Sequence, residues 1–125
     1  MKTIETNNAP KAIGPYSQAV EAGGFIFTSG QIPIDPKSGT LVDGDIKAQT
    51  EQVIKNLEAV LKAADAKLCD VVKTMCFLQS MNDFTAFNEV YERFFSHKPA
   101  RSCVEAAKLP KGALVEIEVI AHKRA

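Results

Sequence analysis

The chemistry this chain can do is concentrated in a few residues, and Arg101 is the first of them. It stands in Pro99-Ala100-Arg101-Ser102-Cys103-Val104-Glu105, between a proline and a strand-like run. Proline fixes its own φ and biases the residue before it toward extended backbone. A guanidinium placed this rigidly suits a planar carboxylate held through two parallel hydrogen bonds. The plainer use of such a residue is an ion pair with Glu105 or another acid, and residue types alone favour it. Ser29-Gly30-Gln31 closes an earlier strand, and Gly30 has no Cβ, so a ligand or another backbone can approach it closely. Alternatively it is an ordinary strand end. Tyr16 follows the stiff Gly14-Pro15 turn, so its ring is held, either at a site or at the edge of a core. Asn88 lies one residue off the apolar stripe of a helix, where it is a surface residue or reaches a polar site. Cys103 invites a nucleophile reading, but no histidine base is evidently paired with it.

The elements that must position these residues follow from periodicity. Lys2–Glu5 reads as a short edge strand. Ser17–Ala22 and Phe25–Ser29 are strand-like runs joined by Gly23-Gly24, a two-residue hairpin signal. Asp35-Pro36-Lys37-Ser38-Gly39 is turn-rich. Asp45 suits the N-cap of a helix whose stripe is Ile46, Val53, Ile54, Leu57, Val60, Leu61 and Ala64, with Thr50 at its margin. Val71–Gln79 is strand-like and apolar on both faces, which predicts a central place in a sheet. Asn82 is the expected cap of a second helix over Asp83–Phe95, with an aromatic stripe of Phe84, Phe87, Tyr91, Phe94 and Phe95. Ala113–His122 alternates strictly. Val115, Ile117, Val119 and Ala121 share one face, which should meet the helices. Leu114, Glu116, Glu118, Ile120 and His122 share the other. That second face is mixed, so it meets another subunit, lines a cleft or is half solvated.

Two helices on one mixed sheet of about six strands give an α+β two-layer sandwich, read here as one domain over residues 1–125. The bare sheet face needs cover, and oligomerisation is the obvious source. Fifteen basic residues balance fifteen acidic ones, so charge gives no reason to expect nucleic acid or a membrane as partner. No apolar run approaches the roughly 20 residues of a membrane span, and Met1–Asn8 lacks the apolar centre of a signal peptide. A cytoplasmic protein is expected. Cys69, Cys76 and Cys103 are an odd number without CxxC spacing, which reads as free thiols, and with His97 and His122 they offer no metal-ligand pattern.

Taken together, Ala12-Ile13-Gly14-Pro15-Tyr16-Ser17-Gln18, Ser29-Gly30-Gln31-Ile32-Pro33, the Pro99–Glu105 run, Leu109-Pro110-Lys111 and Glu116-Ile117-Glu118 resemble the RidA/YjgF family of reactive-intermediate deaminases. The resemblance spans essentially the whole chain, with the motifs in order. It implies a chorismate-mutase-like fold and a homotrimer with ligand sites in clefts between subunits. It also implies hydrolysis of the enamine and imine acids released by pyridoxal-phosphate dehydratases (2-aminoacrylate/2-iminopropanoate and 2-aminocrotonate/2-iminobutanoate) to 2-oxo acids and ammonia, with no cofactor of the enzyme's own. By the same resemblance Arg101 would clamp the substrate carboxylate and Glu116 would position or activate water. Gly30 and Cys103 would offer main-chain contacts. Ser29, Tyr16 and Asn88 would line the pocket, Tyr16 coming from the neighbouring subunit. An iminium carbon is already electrophilic, so a clamp and one carboxylate base suffice. The alternative is a regulatory or ligand-binding member associated with purine regulation, translation inhibition or chaperone-like behaviour. One departure concerns the pocket rim: Ser96-His97-Lys98 is short beside some relatives, and Lys98 stands where they carry an aromatic residue.

Overall fold

The computed structural model describes residues 1–124. In chain order the elements are β1 (Lys2–Ile4), β2 (Ala19–Ala22), β3 (Phe25–Thr28), β4 (Ile34–Asp35), β5 (Thr40–Leu41), α1 (Ile46–Ala63), β6 (Val71–Leu78), α2 (Phe84–Phe94), β7 (Ala100–Glu105) and β8 (Val115–His122). Six strands form one mixed sheet in the order β1-β2-β3-β8-β6-β7, and β4 and β5 form a small separate ribbon. The expected α+β architecture, two helices against one sheet, is what the chain adopts. Only β6 and β7 run parallel, as a strand–helix–strand crossover through α2 requires. The last strand, β8, enters between β3 and β6 and joins the two halves of the chain.

The core lies between the sheet and the helices. Val53, Ile54, Leu57, Val60 and Leu61 of α1 pack with Phe87 and Val90 of α2 over Ile26, Cys76, Leu78, Val115, Ile117 and Val119 of the sheet. This is the β8 face that strict alternation assigned to the helices. Asp45 caps α1, its carboxylate accepting from the Ala48 N–H at 3.1 Å. Thr50 is fully buried rather than marginal, and its hydroxyl has no hydrogen-bond partner among the described residues.

Two expectations need correction. Asn82 does not cap α2. Ser80 accepts from the Asn82 N–H at 3.2 Å, and a single 3₁₀ turn over Met81–Asp83 leads into the helix. Both residues suit a cap, so sequence alone could not choose between them. β6 is interior but not central, one place from the β7 edge, and buried on one face only, through Val71, Thr74, Cys76 and Leu78. Its other face belongs to the bare side of the sheet, where Phe25, Phe27 and Val104 remain about two-fifths exposed.

Candidate functional site

β7 is the edge strand, and Arg101 is its second residue. Arg101 pairs in register with Thr74, which is buried beneath α2, so its side chain leaves the sheet on the helix side. There one guanidinium nitrogen donates to Oδ1 of Asn88 at 2.7 Å. The guanidinium carbon lies 4.7 Å from the Tyr91 ring centre and 5.5 Å from that of Phe84, within cation–π range. Tyr91 is fixed in turn by a 2.7 Å hydrogen bond between its hydroxyl and that of Thr74. Glu105 is not the partner of Arg101, because its carboxylate accepts from the Met81 N–H at 2.8 Å. Among the described residues Arg101 makes no ion pair. It opens onto a cleft of about 570 Å³ lined by Asn88, Tyr91, Glu92, Ser96, Lys98 and Pro99. A half-buried cation stacked on aromatics, with no carboxylate in ion-pair contact and Lys98 beside it, is a seat for an anion even with Glu92 on the cleft wall.

Glu116 sits in β8 opposite Phe77, on the bare face of the sheet. Burial raises its pKa, and the neighbouring negative charge of Glu118 raises it further. Its carboxylate fits against Gly30: a Cβ built at Gly30 would stand 2.5 Å from Glu116 Oε2 and 2.8 Å from Cδ. Gly30 is therefore required for close approach and not for a turn. The Gln31 main chain bonds to Ile117 in both directions, at 2.9 and 3.1 Å, and holds the strand end beside β8. The Ser29 hydroxyl donates to the Ser17 carbonyl at 2.6 Å, and the Ser29 N–H donates to the Gln18 carbonyl at 2.9 Å. The Tyr16-Ser17-Gln18 segment is thus pinned to Ser29-Gly30. Tyr16 itself is half exposed, its hydroxyl accepting from the Ile13 N–H at 3.4 Å.

The residues singled out from sequence therefore fall into two groups. Arg101, Asn88 and Cys103 face the helix side at the β7 edge. Glu116 and Gly30 face the bare side, with Ser29 and Tyr16 fastened to the same strand end. Successive residues of a strand point to opposite faces, so Thr74 and Phe77 of β6 mark the two sides. One chain does not bring Arg101 and Glu116 onto the same face.

Two features carried no usable sequence signal. Gln18 is buried and ties down the lead-in: its amide oxygen accepts from the Thr6 N–H at 2.7 Å, and its amide nitrogen donates to the carbonyls of Thr6 at 3.0 Å and Pro10 at 2.8 Å. Cys76 is the register partner of Cys103. Interaction with Cys76 is the largest influence on the Cys103 thiol and lowers its pKa to about 7; burial opposes this and the Arg101 charge assists it. The Cys76 thiol is raised by the same partner and by burial. Among the described residues no cluster of three or more His, Cys, Asp or Glu side chains could hold a metal ion, and no helix is long and apolar enough to cross a membrane.

The fold and these motifs define the class. The family described as Endoribonuclease L-PSP matches residues 6–123, and the chain belongs to this RidA/YjgF family. A RutC family protein of Pyrococcus horikoshii is 57% identical over 98% of both chains. The 2-iminobutanoate/2-iminopropanoate deaminase of Salmonella typhimurium is 50% identical, again over 98% of both. Among solved structures, the YjgF gene product of E. coli superposes with a TM-score of 0.94 at 49% identity, covering 99% of this chain and all of that one.

Proposed function

We propose that this protein hydrolyses short 2-imino acids, the 2-iminobutanoate/2-iminopropanoate class, to 2-oxo acids and ammonia, in clefts shared between the subunits of a homotrimer. The observation that carries the reading is the unpaired Arg101 guanidinium, aimed by Asn88 into an open cleft. The name of the Salmonella relative agrees with it. In this reading Arg101 binds the substrate carboxylate. Glu116, a carboxyl with a raised pKa, takes a proton from water as the water adds to the iminium carbon. It returns that proton to the nitrogen; the C–N bond of the carbinolamine breaks, ammonia leaves, and the hydroxyl proton passes back to the Glu116 carboxylate as the carbonyl of the 2-oxo acid forms. Tyr16, Ser29, Gly30 and the Cys103 main chain shape the pocket. The substrate would come from the eliminations of a pyridoxal-phosphate dehydratase in the same compartment.

The division of residues between two sheet faces supports the shared cleft, since a small substrate can touch both groups only where two copies meet. The half-exposed Phe25, Phe27 and Val104 supply the apolar surface such a contact needs. The test generates 2-aminocrotonate with a threonine dehydratase and follows 2-oxobutyrate. Wild-type protein should accelerate its appearance and Arg101→Ala should not; equal rates would refute the assignment. Mixing Arg101→Ala with Glu116→Gln protein under subunit exchange separates the two parts of the proposal. A site built from two copies regains about a quarter of the activity at a 1:1 ratio, by random pairing. A site built within one chain regains none. Light scattering reports the trimer directly.

A further inference from the structure

Cys76 and Cys103 are direct neighbours across the parallel pair of β6 and β7. Adjacent strands lie about 4.8 Å apart, inside the Cα separation of roughly 4.4–6.8 Å that a disulfide spans. Both side chains point to the helix side, as Thr74 and Arg101 do two residues earlier. Their environments differ. Cys76 is fully buried, with its sulfur 3.8 Å from the Thr74 hydroxyl, while Cys103 is only partly buried and follows Arg101 by two residues on the same face. The third thiol, Cys69, is exposed in the turn before β6 and has no such partner in register.

We propose that Cys103 and Cys76 form a reversible oxidation site, in which a hydroperoxide oxidises Cys103 and Cys76 resolves it to an intrachain disulfide between β7 and β6. The Cys103 thiolate, favoured by the guanidinium two residues away, attacks the terminal oxygen of the hydroperoxide. The O–O bond breaks, an alcohol or water leaves with a proton, and Cys103 becomes a sulfenic acid. The Cys76 sulfur then attacks the Cys103 sulfur. The S–S bond forms, the S–O bond breaks, and the departing hydroxide takes the Cys76 proton as water. Two thiols lose two electrons and one hydroperoxide is reduced. Side chains paired directly across parallel strands do not meet disulfide geometry without adjustment. β7 can move because it is an edge strand, and the residual strain keeps the bond easy to reduce.

The experiment uses Cys69→Ser protein, which removes the exposed thiol. It is treated with hydrogen peroxide, alkylated, and read by intact mass and peptide mapping. Both remaining thiols should become unreactive together with a mass loss of about 2 Da, and dithiothreitol should restore them. A second variant, Cys69→Ser/Cys76→Val, keeps a buried residue suited to a strand. There Cys103 should label with dimedone when it is present during oxidation, and without it gain about 32 Da as the sulfinic acid. The inference is overturned if both thiols stay reactive in peroxide, or if Cys103 reaches the sulfinic acid as fast with Cys76 present as without it. Should the valine variant fail to fold, the paired loss and recovery of thiols in Cys69→Ser protein still decides. None of these readouts depends on deaminase activity.

Discussion

Replacing Gly30 by alanine tests the placement of Glu116 without touching its chemistry. The added Cβ would lie 2.5 Å from Glu116 Oε2, while ordinary contact begins at 3.4 Å, so the carboxylate must retreat by about 0.9 Å. Gly30 does not occupy the left-handed region, so alanine meets no backbone penalty there. Removing a glycine also lowers the entropy of the unfolded chain, worth about 0.4–1 kcal/mol in favour of the fold. The crowded atom is the end of a side chain that can swing, so global stability should stay within about 1 kcal/mol of wild type. Catalysis should not be spared, because a misplacement of about 1 Å in a reacting group costs on the order of 100-fold. Steady-state kinetics on the imino acid should show kcat reduced on that order with KM little changed, since Arg101 lies on the opposite face of its own sheet. Glu116→Gln should cost about 10²–10⁴-fold. The double variant should be no worse than Glu116→Gln alone, because both changes remove one function. Wild-type kcat in Gly30→Ala protein, or full additivity in the double variant, would refute the claim that Gly30 serves Glu116.

Three other outcomes follow from the same geometry. Asn88→Ala removes the hydrogen bond that aims Arg101 and keeps the charge, so KM should rise on the order of 10-fold with a smaller change in kcat; an unchanged KM would show that aromatic stacking alone positions the guanidinium. The raised pKa of Glu116 acts with opposite signs on activity and stability. Its preference for the protonated form stabilises the fold below the unfolded-state pKa and is lost as pH rises through the folded one, so Glu116→Gln should melt higher than wild type near neutrality and lose that advantage in acid. Activity should instead fall as pH drops through the same raised pKa, and a flat acid limb in kcat/KM would remove Glu116 as the base. Gln18→Ala leaves the Thr6 N–H and the carbonyls of Thr6, Ala9 and Pro10 without their partner and should destabilise by about 2 kcal/mol, seen in thermal denaturation and in faster proteolysis of the first ten residues.

The layers of the fold were legible because burial imposes periodicity. The alternation of Val115–Ala121 and the stripe from Ile46 to Ala64 each have one apolar side, and each buried that side. Asp45 was legible as a cap because its chemistry acts within four residues. The start of α2 was not, since its N-cap residue, Asp83, makes no side-chain cap hydrogen bond and Ser80 caps the 3₁₀ turn before it instead. The β4–β5 ribbon, two residues on each side, is too short to show an alternation. In the candidate site, residue types pointed to Arg101 as a carboxylate clamp but could not decide against an ion pair with Glu105. That choice depended on where α2 set Asn88 and where Met81 set its N–H.

Sequence by itself determined the parts: two amphipathic helices, the alternating strands, a glycine beside a strand end and a proline-anchored arginine. These are local properties, fixed by side-chain volume, polarity and allowed dihedrals over a few residues. Tertiary structure alone decided the pairings. Strand order put Cys76 beside Cys103 and Gly30 beside Glu116, and the packing of α2 on the sheet put Asn88 against Arg101, contacts between residues apart in the chain. It also decided that Arg101 and Glu116 leave their sheet on opposite faces, because the registers of β7 and β8 on β6 differ in parity, which no local pattern encodes.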